Sequence, residues 1–104
     1  MFSSAVLISY TYEVDEIGQK IASEKRITVP VEEWSVSRAE WHDAQRNSLN
    51  PDMMLTTNVR NYSNQTVVEY KGNTYAVYRT YHSKNGNNVE LYLQRKAGIV
   101  NADD

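Results

Sequence analysis

Apolar and polar residues alternate with a period near two through most of this chain, and one segment alone carries helical spacing. Residues 5–13, AVLISYTYE, put Val6, Ile8, Tyr10 and Tyr12 on one face of an extended run. Thr, Tyr, Val and Ile favour strands because they pack well on a pleated surface. A turn is expected around Asp15 to Gly18. A second extended run, KIASEKRITVPVEEW, follows over 20–34. Its Pro30 has no N–H for a ladder and so marks an edge or a bulge. Together the runs predict a long hairpin with a charged tip, protruding over about residues 14–29.

The helical segment is VSRAEWHDAQRNSLNP. Ser37 suits the N-cap and Glu40 lies three residues on, a capping box. Val36 and Trp41 occupy the positions of a hydrophobic staple. Trp41, Ala44 and Ser48 or Leu49 continue as a narrow apolar stripe. Pro51 disfavours helix at Asn50, so a helix over about 37–48 is predicted.

Strand patterning then resumes. DMMLTTNV reads as a strand over 53–59, and RNYSNQ as a polar connection. TVVEY and TYAVYRTYH flank the tight turn KGN, where Gly72 can take the positive φ that such turns require. Asn85-Gly86 predicts a type I′ turn. The last strand, NVELYLQRK, sets Val89, Leu91 and Leu93 against Glu90, Tyr92 and Gln94. Residues 97–104 read as a flexible tail. About six strands joined mainly by hairpins, plus one inserted helix, predict a mainly β protein: a small antiparallel β-barrel forming a single domain over 1–104.

Composition narrows the function. Eleven Lys and Arg against thirteen Asp and Glu give a net charge of −2, which argues against a dedicated nucleic-acid binder with a basic face. The longest apolar run, AVLI, is far too short to span a membrane. There is no cysteine, which fits a reducing compartment. The start, MFSS, lacks the positive region of a secretion signal. His42 and His82 are isolated, so no zinc site is expected. Glu32 and Glu33 are neighbours on a strand and point to opposite faces. No nucleophile–base or phosphate-loop motif occurs. No catalytic residue, cofactor or metal is therefore expected, and the chain does not read as an enzyme.

Five of the eight tyrosines fall between Tyr70 and Tyr92. On the strand that follows the KGN turn, Tyr75, Val77, Arg79 and Tyr81 share one face, and Ala76, Tyr78, Thr80 and His82 the other. Rings on both faces cannot all belong to one core. Some pair across strands, and others offer the apolar area and hydroxyl that suit a protein interface.

SVSRAEWHDA followed by MMLTTNVRNYSNQTVVEYKGNTYAVYRTYHSKNGNNVELYLQRK resembles the head-closure (connector, adaptor or stopper) proteins of long-tailed bacteriophages. The matching features are Arg38, Glu40, Trp41 and Ala44 at the helix, Asn61-Tyr62, the tyrosine-rich segment Tyr75 to Tyr81, and Glu90-Leu91-Tyr92 with Arg95. They span about residues 35–96. Lys71-Gly72 stands where Asn-Gly is commoner in the family, and residues 1–14 carry little of its pattern.

The resemblance implies a structural virion protein with a β-barrel core, assembled in the bacterial cytoplasm. Some twelve copies would form a ring beneath the portal or its adaptor, close the DNA-filled capsid and dock the tail. Its partners would be portal or adaptor, tail proteins and copies of itself, with DNA passing through the ring without tight binding. The free subunit is expected to be monomeric. Expected interface residues are Tyr62, Tyr75, Tyr78, Tyr81, Tyr92, Lys20, Lys25 and Arg26, with Val36, Ser37, Glu40 and Trp41 organising the helix entry. A tail terminator or other tail-joining ring protein is the nearest alternative, and a small β-barrel nucleic-acid binder is the next.

Overall fold

The computed structural model describes residues 3–95, with the side chains of Ile21 and Ala22 left aside. The segment expected as a tail lies outside the described residues. Six strands make up the sheet: β1 Ser3–Val14, β2 Lys20–Trp34, β3 Pro51–Asn58, β4 Val67–Tyr70, β5 Asn73–His82 and β6 Asn88–Arg95. They close into a barrel in the order β1-β2-β3-β6-β5-β4, with every pairing antiparallel. Closure removes the free sheet edges that a small open sheet would present. The helix α1, Arg38–Arg46, joins β2 to β3, and a short 3₁₀ turn over Val59–Asn61 follows β3.

The interior is filled by alternate residues from all six strands: Ala5 and Leu7, Val29 and Val31, Leu55, Val68 and Tyr70, Tyr75, and Val89, Leu91 and Leu93. On β6 this is the face that the alternation predicts. On β1 the lumen is filled by Ala5 and Leu7, so the more conspicuous set of Val6, Ile8, Tyr10 and Tyr12 points away from it, although Ile8 is itself buried at 1% exposure. Ala5 and Leu7 share the lumen with larger side chains of the other strands, Tyr70 and Tyr75 among them.

The turns depart from expectation in one place. Lys71 and Gly72 both have positive φ, 50° and 81°, and link β4 to β5 as a two-residue turn. Asn85-Gly86 does not repeat this. Only Gly86 has positive φ, and the amide of Gly86 donates to the Ser83 carbonyl within a five-residue loop. Asn85 Oδ1 accepts from the Asn87 amide and the Ser83 hydroxyl, which stabilises the longer loop over a type I′ hairpin.

The helix starts as predicted. Ser37 Oγ accepts from the Glu40 amide at 3.1 Å. It ends two residues before the expected position. The Leu49 amide donates to the Ala44 carbonyl and the Ser48 amide to that of Gln45, with Ser48 at φ 62°. This is a Schellman closure built on serine, and it stops the helix before Pro51 exerts any effect. Of the expected stripe only Ala44 is buried, while Trp41 stays 43% exposed.

The first hairpin overruns the barrel. β1 pairs with β4 only over Val6–Ile8, and β2 pairs with β3 only over Glu32–Trp34. Residues 9–25 therefore pair only with each other and form an arm longer at its β1 end than the 14–29 read from sequence. The long axis of the molecule is 50 Å against 33 and 23 Å for the other two. Pro30 stands just ahead of the β2–β3 ladder, and its carbonyl accepts from the Thr57 hydroxyl at 2.8 Å.

Candidate interaction surface

The expected interface tyrosines occupy four environments. Tyr75 lies in the core, 2% exposed, so its ring is enclosed by the barrel. Tyr62 packs partly against the core, and its hydroxyl donates to the Gln65 carbonyl at 2.8 Å, fastening the loop before β4. Tyr81 projects outward and is 47% exposed.

Tyr78 and Tyr92 belong to a polar cluster on the outer wall. The register slips between Val77 and Arg79, leaving Tyr78 as an extra residue opposite β6. A bulge of this kind resets the alternation. Tyr75 and Val77 face the core, yet Arg79 pairs with outward Tyr92 and Tyr81 with Glu90. The sequence reading grouped Tyr75 with Arg79 and Tyr81 on one face, and the bulge separates them. It also lets Tyr78 and Arg79 reach the same carboxylate. Tyr78 OH donates to Glu40 Oε2 at 2.9 Å, and Arg79 Nη2 to Glu40 Oε1 at 2.5 Å. The Arg79 guanidinium sits 4.1 Å from the Tyr92 ring centre. Tyr92 OH donates in turn to Glu90 at 2.7 Å.

Glu40 thus has a second task. Its amide receives the helix cap, while its side chain ties α1 to β5. A cleft of about 420 Å³ remains between helix and wall, lined by Ala44, Asn47, Leu49 and this pair of contacts. The cluster is a bracket whose acceptors are already occupied by its own donors. Among the described residues no three or more His, Cys, Asp or Glu are placed to hold a metal ion.

These contacts have a pH signature. Burial, then the bond to Glu90, pushes the Tyr92 hydroxyl up to about 12. Burial and the Glu40 carboxylate raise Tyr78, and burial raises Tyr62. In an unfolded chain tyrosine ionises near ~10. The folded state therefore holds these protons more tightly. The stability they contribute is complete below about pH 10 and is lost as pH rises towards 12. We expect the urea midpoint to fall across that alkaline window, and to fall less steeply in Tyr92→Phe.

On the arm, Lys20 and Lys25 are exposed, and Arg26 bridges Glu24 at 2.6 Å and Glu69 at 2.5 Å. The sequence alone points to a hairpin with a charged tip. The structure adds Tyr10, Tyr12 and Val14, 44%, 69% and 66% exposed, opposite Glu24, Ala22 and Lys20 in register, and Ile17 at the tip. The signal was present in the chain lengths. A four-residue β4 cannot cover a twelve-residue β1, so the distal half of β1 had to be uncovered. Trp34 is also half exposed, with its indole N–H donating to Thr56 Oγ1 at 3.1 Å. At the helix entry Val36 and Trp41 line one hollow, as a staple pair would, but the hollow is open to solvent. In comparisons with known proteins, no protein family matches the sequence and no curated protein is significantly similar to it.

Proposed function

We propose that this chain is a structural subunit of a bacteriophage head–tail connector, one segment of a ring that closes the filled capsid and receives the tail. The observation that carries the reading is the division of labour among its aromatic residues. The lumen is filled by the barrel's own side chains, while Tyr10, Tyr12, Trp34, Trp41 and Tyr81 remain on the outside of a 104-residue chain. Single exposed apolar residues are ordinary, but a projecting arm that carries several of them marks a protein contact. The resemblance over residues 35–96 supports this choice of assembly. The net charge of −2 suits a channel that lets DNA pass, since a lysine-lined wall would hold phosphates by counterion release.

The free chain is expected to be monomeric at low micromolar concentration and to bind the portal-side ring of its own virion. Docking on a ring of preformed sites raises local concentration and completes the collar. Light scattering of the free chain, followed by co-sedimentation with portal-side rings and with tail tubes, tests this. Binding to the portal side supports the proposal. Binding only to tail tubes would make the chain a tail terminator, and binding to neither would end the connector reading.

A further inference from the structure

We propose that the tip of the β1–β2 arm of one copy seats in the hollow at the helix entry of the next copy, with Ile17 against Val36 and Trp41 and Glu16 facing Arg38. This rests on the connector reading, because it names the contact between neighbours in the ring.

The tip is an ordered knob. The Asp15 carboxylate accepts from the Ile17 amide at 3.0 Å and the Gln19 amide at 2.8 Å, and the Gly18 amide donates to the Asp15 carbonyl at 3.0 Å. Ile17 rides on this turn at 78% exposure, the most exposed large apolar residue among those described. An apolar group held in place before binding loses little conformational freedom on docking. The Glu16 carboxylate has no ion-pair partner among the described residues.

The receptor is the hollow of about 520 Å³ lined by Val36, Arg38, Trp41 and His42. It combines apolar walls with the Arg38 guanidinium and the His42 imidazole. Arg38 has no ion pair among the described residues, and the two acids of the helix are engaged elsewhere, Glu40 with Tyr78 and Arg79 and Asp43 with Arg46. Residues 13–19 carry three carboxylates and no cation. An acidic apolar knob and a basic aromatic socket on one chain are complementary in charge and in character. They lie on different elements, and the arm pairs only with itself. A contact between unlike surfaces of identical chains propagates around a ring, unlike a two-fold contact, which stops at a dimer.

The chain has no cysteine, so introduced thiols report without background. Ile17→Cys and Val36→Cys proteins, mixed at about millimolar concentration under a mild oxidant, are expected to form a 17–36 disulfide at least ~10-fold faster than Ile17→Cys mixed with Lys84→Cys. Glu16→Arg and Arg38→Glu should each slow that reaction, and the two together should restore it. Melting curves of each variant establish that it is folded. Equal rates in the two mixtures, or no rescue by the double charge reversal, would overturn the proposal. Portal-side binding by the unmodified chain without preferential 17–36 linkage, in solution or on the ring, would defeat this contact and leave the connector reading intact. Linkage without portal-side binding would do the reverse.

Discussion

Replacing Leu91 with alanine is expected to destabilise the fold by about 2–5 kcal/mol, the largest effect foreseen for a single change in this chain. Leu91 is fully buried at the middle of β6, paired with Leu55 on one side and Thr80 on the other. Deleting its branched end removes transfer energy and leaves a void, because strands tied on both edges cannot move in to fill it. For a domain of this size each kcal/mol lowers the melting temperature by roughly 4–8 °C. Thermal unfolding followed by circular dichroism measures the loss. A drop of only a degree or two would mean that the lumen collapses around the vacancy.

Glu40→Ala comes next, at roughly 1–3 kcal/mol. The Glu40 side chain is 13% exposed and serves two donors. Removing it leaves the Tyr78 hydroxyl facing an apolar methyl group in a half-buried setting. Arg79 is less costly, since it is 43% exposed and can turn to water. The N-cap itself survives, because Ser37 bonds the backbone of residue 40 and not its side chain. A double-mutant cycle with Tyr78→Phe separates the two contributions, with the coupling between positions 40 and 78 expected to be clearly above zero. Additive effects would mean that the carboxylate does not fasten the helix to the wall.

The secondary structure was largely legible because local chemistry dictates it. Ser37 and Glu40 start the helix, Gly72 turns the second hairpin, and the alternation of Val89, Leu91 and Leu93 assigns the inner face of β6. What escaped was set by partners far along the chain. The bulge at Tyr78 has no local marker, since no glycine or proline stands there, and it is defined by how β5 meets β6. That Ala5 and Leu7, and not Val6 and Ile8, face the lumen is set by how β1 pairs with β2 and β4, which a strand read alone does not reveal. Glu40 announces a capping box, yet its side chain is claimed by residues 38 and 39 positions away. The exposed aromatic residues were legible in kind, as an excess of tyrosine, but not in place. Tyr75 turned inward and Ile17 became the exposed tip.

The seam where β1 meets β4 has a bearing on how the chain acquires its fold. It consists of three paired positions, with Leu7 opposite Val68 and some sixty residues between them. The β1–β2 and β5–β6 hairpins are local and can form early, whereas this short ladder repays its loop-closure entropy only after the intervening strands are in place. Zipping it is therefore expected to be the final topological step. Until then a nascent chain has two open borders, and a concentrated solution of identical copies offers each border a rival strand.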